Sequence, residues 1–183
     1  MEIPTVRIKE LREQSKAGIM ECRNALIEAE GDIGKALQIL KEKSLFKAEK
    51  KATRSASEGL IETYIHIGGR IGAMVEVNCE TDFVARTDEF KELAHNLAMQ
   101  VAARDPLYIS REQVPEGADI DPEEACLLLQ PYIKNPEQTI QDLIMETAAR
   151  MGENVKVGRF ARFELGQTEA RIAELEKSSA GTE

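Results

Sequence analysis

The chain has 183 residues, 42% hydrophobic and 31% charged, which is enough for one domain with a core or for one domain plus a small satellite. No apolar run approaches the roughly 20 residues of a membrane-spanning helix, and the N-terminus lacks the basic start and apolar middle of a signal peptide. We therefore expect a cytoplasmic protein. The net charge of −9 argues against general nucleic-acid binding, because a surface that binds phosphate groups needs positive charge.

Residues 1–43 are predicted to form a three-helix module. Apolar residues recur at spacings of three and four in three successive segments, as in amphipathic helices. In the second segment, the pattern predicts that Ile19, Met20, Ala25 and Leu26 face the core. A core of about 40 residues is marginal on its own, which favours an appended binding module over an enzyme.

Residues 44–58 are predicted to be a helical linker, because they are polar, basic and rich in Ala and Ser. Basic residues concentrate between Lys41 and Arg54, which leaves RNA binding as one interpretation of this stretch. A solvated linker helix is the interpretation that we favour, since runs of charge usually only solvate a surface.

From residue 59 the helical period gives way to alternation. The segments Leu60–Ile67 and Ile71–Asn78 flank Gly68-Gly69, which predicts a β-hairpin with a two-glycine turn. His66 lies near the tip of this hairpin, where an interface role stays open.

A core domain of the α+β class is predicted over residues 59–166. A long helix should run from a Thr87 cap to about Arg104, and another from Thr139 to Met151. A third strand, from Val155, can join the hairpin. The prediction is a small antiparallel sheet of about three strands covered by helices on one face. Residues 167–183 are predicted to be a charged tail, with a helix as one interpretation.

The segment Asn78–Arg86 joins the hairpin to the long helix and places Phe83 between Asp82 and Arg86. A large aromatic side chain is unusual in a short connection unless the core or a partner covers it. Two interpretations stay open: Phe83 is a buried anchor of the connection, or it is an exposed wedge that enters a partner.

The sequence offers no catalytic constellation. The glycines at Gly68–Gly72 lie inside a hairpin rather than before a helix, so they do not form a phosphate loop. Cys22, Cys79 and Cys126 are far apart and odd in number, which predicts reduced, mostly buried thiols rather than disulfides or a zinc site. The hypothesis that Cys79 is a nucleophile with His66 as its base is weaker than the interpretation that both residues are structural. We expect no enzymatic activity, cofactor or metal.

Three stretches resemble elongation factor Ts and occur in the order of that family: Leu11–Leu26, Val75–Arg86 and Gly152–Gly166. Together they span most of residues 5–166. One departure lies at Ser15-Lys16-Ala17-Gly18-Ile19-Met20-Glu21-Cys22, where the family usually has Thr-Gly-Ala-Gly-Met-Met-Asp-Cys.

The resemblance implies a translation elongation factor that acts as a guanine-nucleotide exchange factor for elongation factor Tu. It implies that the N-terminal module is ubiquitin-associated-like. It also implies that Asp82 and Phe83 enter the GTPase domain of the partner near its magnesium and phosphate site, so that GDP is released without covalent chemistry.

Further partner contacts are implied by the same resemblance. Arg12, Ile19 and Met20 match positions that dock on a helix of the GTPase domain. His66 matches a position that reaches a second domain of the partner in long family members.

The length implies a homodimer. Long members of the family have two related core subdomains, whereas this chain has room for one, and short members can pair so that a second copy supplies the missing half. The alternative is a non-exchanging binding module that recognises a ribosomal or nascent-chain partner, with Phe83 serving only the fold. We expect neither a membrane nor a nucleic acid as a direct partner.

Overall fold

The computed structural model describes residues 3–15 and 17–167. Of the tail predicted over residues 167–183, only Gln167 is therefore described, and Lys16 also lies outside the described residues. The helices and strands are α1 Thr5–Ser15, α2 Ile19–Glu28, α3 Ile33–Lys51, β1 Glu58–Ile65, β2 Ile71–Cys79, α4 Asp82–Ala85, α5 Asp88–Arg104, α6 Pro122–Ala125, β3 Pro131–Tyr132, β4 Asn135–Thr139, α7 Ile140–Met151 and β5 Lys156–Glu164.

The described residues divide into two compact units. The first contains the residues up to Ser55 together with Met145–Asn154, and the second contains Ala56–Ile144 together with the residues from Val155 onward. The predicted boundaries after residues 43, 58 and 166 stay predictions.

In the first unit, the three N-terminal helices pack around a small apolar core. Its buried residues are Leu11, Cys22, Ala25, Leu26, Ala29, Ala36 and Leu40. The third helix continues to Lys51, so the predicted third helix and much of the predicted linker form one helix. Residues 44–51 contain no Gly or Pro and consist mainly of good helix formers, which explains why the helix does not stop at residue 43.

The end of α3 is fastened within the same unit by a buried amide. The Asn154 side chain is 5% exposed, and its Nδ2 donates to the carbonyl oxygens of Ala52 at 3.0 Å and Arg54 at 2.7 Å. These bonds satisfy backbone acceptors just beyond the last turn of the helix, where no intrahelical donor is available.

The second unit contains a three-stranded antiparallel sheet in the order β1-β2-β5, which confirms the predicted α+β class and the third strand. The hairpin turn differs from the prediction. The last backbone pair is His66 with Ile71, at 2.9 Å, so four residues form the loop. The Gly69 N–H also bonds to the His66 carbonyl at 2.9 Å, and this inner turn keeps Ile67 and Arg70 out of the ladder.

Helix α5 packs against β1 and β2 on one face of the sheet. Its fully or nearly buried apolar residues, at spacings of three and four, are Phe90, Leu93, Ala94, Leu97, Ala98 and Val101. They meet Val75 and Val77 of the central strand, both 0% exposed. One face of the sheet is thus the core of this unit.

Among residues 3–15 and 17–167, the opposite face of the sheet stays exposed, and it carries apolar side chains. Its exposed large apolar residues are Ile61, Ile65, Met74 and Phe163, between 48% and 72% exposed. Two rows cross all three strands, Ile65–Gly72–Phe163 and Thr63–Met74–Ala161. We call the face formed by these rows and by Ile61, Glu76 and Arg159 the open sheet face.

A small second hairpin, β3–β4, was not predicted from the sequence. It is held to α5 by two buried glutamines. Gln100 Nε2 donates to Gln130 Oε1 and to the Pro131 carbonyl, each at 3.1 Å, and Gln100 Oε1 accepts from the Ile133 N–H at 3.0 Å. Buried amides of this kind are stable because their hydrogen bonds are satisfied.

Gly59 allows β1 to approach β2 closely opposite Asn78. Its φ of +146° is rarely adopted by other residues, and a Cβ at this position would lie 2.0 Å from the Val77 carbonyl oxygen. We expect Gly59→Ala to lower the free energy of unfolding by about 1–3 kcal/mol, the usual cost of a strained backbone. Urea denaturation at fixed protein concentration measures it.

The matched control is Glu58→Ala, at the neighbouring exposed position of the same strand. It should change the free energy of unfolding by no more than about 0.5 kcal/mol. Equal losses for the two variants would contradict the close approach at Gly59.

Candidate functional site

Phe83 lies on the four-residue helix α4, not in an irregular connection. Thr81 is the N-cap of this helix, and its Oγ1 accepts from the Val84 N–H at 3.4 Å. Ala85, the last residue of α4, is buried, whereas Phe83 is 78% exposed. The interpretation of Phe83 as a buried anchor is therefore wrong, because its ring lies on the solvent side of a helix whose other side faces the core.

The connection from α4 to α5 is held by one hydroxyl group. Thr87 Oγ1 donates to the Val84 carbonyl at 2.8 Å and accepts from the Phe90 N–H at 3.2 Å. It therefore closes the end of α4 and caps the start of α5 at the same time. Since Phe90 is 0% exposed, the second bond ties the connection to the core.

The other end of α4 is held from beneath. Cys79, the last residue of β2, is 0% exposed, and its thiol donates to the Thr81 carbonyl at 3.1 Å. The exposed ring of Phe83 thus stands on a short helix whose two ends are both hydrogen-bonded to buried elements.

Asp82 lies beside this ring and pairs with Arg86. Arg86 Nη2 is 2.7 Å from Asp82 Oδ2, and the two side chains are 76% and 44% exposed. An exposed pair four residues apart contributes little to stability. The carboxylate is therefore directed by Arg86 but can change partners at small cost.

His66 lies far from Asp82 and Phe83, at the opposite end of the hairpin. The strand β2 separates the two positions by eight or nine residues, roughly 25 Å at the rise of a β-strand. The His66 side chain is exposed, and its Nδ1 lies 3.2 Å from the Tyr64 hydroxyl. Any contact through His66 is thus separate from one through Phe83.

Arg12, Ile19 and Met20 present exposed side chains on successive helices of the N-terminal module. Ile19 is 56% and Met20 is 62% exposed, so the prediction that they face the core was wrong. The core positions of α2 are Cys22, Ala25 and Leu26. Met20 lies about 200° around the helix from Cys22, and Ile19 occupies the first turn, beyond the buried stripe.

The basic residues of α3 are partly engaged within their unit. Lys41 pairs with Glu146 at 2.7 Å, Lys43 with Glu28 at 2.5 Å, and the Lys50 ammonium lies 4.3 Å from the centre of the Phe46 ring. These contacts agree with a solvated linker helix better than with an RNA-binding surface, which would leave its cations available to phosphate groups.

The polar end of the open sheet face was not found by sequence reasoning. Asn78 Nδ2 donates to Glu76 Oε1 at 3.1 Å, and Arg159 Nε donates to Glu76 Oε2 at 2.8 Å. The hydrogen bond from Asn78, followed by that from Arg159, lowers the pKa of Glu76 below its ordinary value. Alternation in β1 predicted two different faces, but only the packing of α5 against β1 and β2 shows which face it covers.

Among residues 3–15 and 17–167, no three His, Cys, Asp or Glu side chains come together as a metal site. The three cysteines are buried and unpaired with one another. In the described part of the chain, no helix combines the length and the apolar character that crossing a membrane requires.

Comparison with known proteins identifies the family. The family model described as "Elongation factor TS" matches residues 7–121. The chain belongs to the elongation factor Ts family. It is 47% identical to elongation factor Ts of Carboxydothermus hydrogenoformans, over 94% of this chain and 93% of that protein, and 50% identical to that of Caldanaerobacter subterraneus subsp. tengcongensis, over 87% and 95%.

A third relative, elongation factor Ts of Thermotoga neapolitana, is 47% identical over 91% of this chain and 99% of its own length. The family match contains every candidate site residue, from Arg12 to Phe83. Membership in the elongation factor Ts family makes the chain a translation elongation factor.

The cap at Thr87 should be measurable in stability. We expect Thr87→Ala to lower the free energy of unfolding by about 1 kcal/mol, the usual cost of losing an N-cap side chain. Thr87→Ser retains the hydroxyl that accepts from Phe90 and donates to Val84, so it should stay within about 0.5 kcal/mol of the parent. Urea denaturation compares them, and an equal loss in both variants would contradict the bridging role of the hydroxyl.

Proposed function

We propose that this protein is a guanine-nucleotide exchange factor for elongation factor Tu and acts in the cytoplasm. The observation that carries the proposal is the 78% exposure of Phe83 on a helix fixed at both ends. An exposed aromatic ring has a large apolar area and few rotamers, so burying it in a partner releases free energy at a small entropic cost. Neither protein makes or breaks a covalent bond in this process.

The mechanism depends on rigidity as well as on exposure. A flexible ring would adapt to the GDP-bound partner, whereas a ring on a fixed helix favours a partner conformation that makes room for it. In the proposal, Phe83 and Asp82 displace the elements of the GTPase domain that surround its magnesium ion and phosphate groups. GDP then loses contacts and dissociates faster.

The coupling between the two ligands of the partner is reciprocal. If this protein weakens the binding of GDP by some factor, GDP weakens the binding of this protein by the same factor. The complex without nucleotide is therefore the most stable, and incoming nucleotide releases the exchange factor. Because the Asp82–Arg86 pair is exposed, Asp82 can turn toward the partner without a large desolvation cost.

The N-terminal module is proposed to supply a second contact with the GTPase domain through Arg12, Ile19 and Met20. Ile19 and Met20 are exposed apolar side chains, and Arg12 on the preceding helix is an exposed cation, which is the usual composition of a docking surface. A first contact raises the effective concentration of the second, so this module would lower the concentration needed for exchange. His66 is proposed to reach another domain of the partner.

Stopped-flow release of a fluorescent GDP from elongation factor Tu tests the proposal. The parent protein should accelerate release strongly. Phe83→Ala should reduce the acceleration about tenfold or more, since removing a central aromatic residue of an interface commonly costs ~2 kcal/mol. The variant should remain folded, because the Phe83 ring is exposed and supports no core contact.

The matched control is Phe46→Ala, which removes another exposed phenylalanine, 57% exposed on α3. It should keep the rate within about twofold of the parent, as expected for a side chain outside the proposed contacts. No acceleration by the parent protein would overturn the exchange function and leave the non-exchanging binding module as the better account.

We also propose that the protein forms a homodimer through the open sheet face. Monomers rarely expose a contiguous apolar patch that spans a sheet. Here Ile65, Met74 and Phe163 lie in adjacent rows of one face, with Ile61 beside them. A second copy offers the same apolar rows, and burying both would remove them from water in a self-complementary contact.

Sedimentation velocity at micromolar concentration tests the dimer. The parent should sediment as a species of about twice the protomer mass of 20.4 kDa. Met74→Glu places a charge in the middle of the open sheet face and should give protomers. Leu107→Glu is the control, because Leu107 is 63% exposed outside the sheet, and it should leave the dimer intact. A dimer that survives Met74→Glu would contradict this interface.

A further inference from the structure

The thiol of Cys79 is a buried hydrogen-bond donor beneath α4, the helix that carries Asp82 and Phe83. It has no part in the partner contacts proposed above. We propose that Cys79 is a positioning residue that fixes the direction of the Phe83 ring through the carbonyl of Thr81. This inference rests on the proposed exchange function for its biological meaning, but the geometry that it describes can be tested without elongation factor Tu.

The contact lies at the joint between strand and helix. Cys79 ends the central strand and is 0% exposed, and its Sγ is 3.1 Å from the Thr81 carbonyl oxygen. The same oxygen accepts from the Ala85 N–H at 3.3 Å, which is the first bond of α4. A carbonyl oxygen can accept two bonds. The thiol and the helix thus converge on one atom, and the orientation of that peptide group sets the axis of α4.

The short length of α4 makes this bond more important than it would be in a long helix. A helix of four residues has too few internal bonds to be stable alone, so its direction depends on its packing against β1 and β2 and on what holds its ends. At its C-terminal end, the Thr87 hydroxyl donates a hydrogen bond to the Val84 carbonyl. At its N-terminal end, its contacts include the Thr81 cap and the bond from Cys79.

Cys79 cannot touch the partner, because its side chain is fully buried. Any effect of the thiol on exchange must therefore pass through the direction and the mobility of α4, the helix that carries Asp82 and Phe83. A residue that merely filled the core would affect the overall stability and leave the ring as restricted as before. This difference separates a positioning role from a packing role.

Time-resolved fluorescence anisotropy of a tryptophan at position 83 measures the local motion directly. The chain contains no Trp, so Phe83→Trp introduces a single reporter at the wedge. In this background, Cys79→Ala should increase the amplitude of the fast local motion. Cys79→Ser, which retains a donor on the same β-carbon, should keep the amplitude near that of the single variant.

Cys126→Ala in the same background is the matched control. Cys126 is also 0% exposed, but its position between α6 and β3 lies outside the turn that carries Phe83. Because it also shortens a buried side chain, it should lower the free energy of unfolding by a similar amount, but it should not change the motion of the tryptophan at position 83. Equal loosening by Cys79→Ala and Cys126→Ala would overturn the positioning role, as would equal loosening by Cys79→Ala and Cys79→Ser.

GDP release from elongation factor Tu supplies the functional readout. Cys79→Ala should lower the saturating rate about three- to tenfold, the range expected when one hydrogen bond is lost. It should cause a clearly smaller loss when Phe83 is already alanine, because most of its effect passes through that ring. Additive losses would overturn the inference.

The two proposals can fail separately. If the parent protein does not accelerate GDP release, the exchange function is wrong, and the anisotropy measurement still decides whether Cys79 holds the turn. If the parent accelerates release but Cys79→Ala changes neither the anisotropy nor the rate, the exchange function stands and the positioning role of Cys79 is overturned.

Discussion

The end of the central strand β2 is the constraint on which the candidate site depends. β2 is hydrogen-bonded to a strand on each side, and Val75, Val77 and Cys79 alternate into the core at 0% exposure. A shift by one residue would turn all three side chains to the other face, so the register is strongly determined. The residue at which the sheet ends is thereby fixed, and the helix that carries Asp82 and Phe83 begins three residues later.

Much of the architecture follows from local sequence rules. The α5 stripe from Phe90 to Val101 is buried as its spacing predicts, and Thr87 caps the helix as its side chain predicts. The predicted start of α7 at Thr139 also has a local cause, since Thr139 and Asp142 exchange hydrogen bonds of 3.1 Å in both directions. These features depend on neighbours within four residues, which is why sequence alone is sufficient to predict them.

The features that escaped prediction depend on distant parts of the chain. Alternation in β1 separates Ile61 and Ile65 from Tyr64, but only packing decides that α5 covers the face with Tyr64 and leaves the isoleucines exposed. Ile19 and Met20 have the composition of core residues, yet the core of the module is complete without them. The buried pair Gln100–Gln130 is polar in sequence and is stable in the interior because the β3–β4 hairpin bonds to Gln100 and the carbonyl groups of Arg104 and Glu124 accept from Gln130.

In the proposed mechanism, an aromatic ring held rigidly outside the core couples the binding of this protein to the loss of GDP. Calorimetry can measure this coupling as the affinity of elongation factor Tu for GDP with and without saturating exchange factor. With the parent protein, the affinity should fall strongly; with Phe83→Ala, it should fall much less, although the variant still binds through its N-terminal module. An equal fall in affinity with both proteins would contradict the account, because coupling would then not depend on the ring.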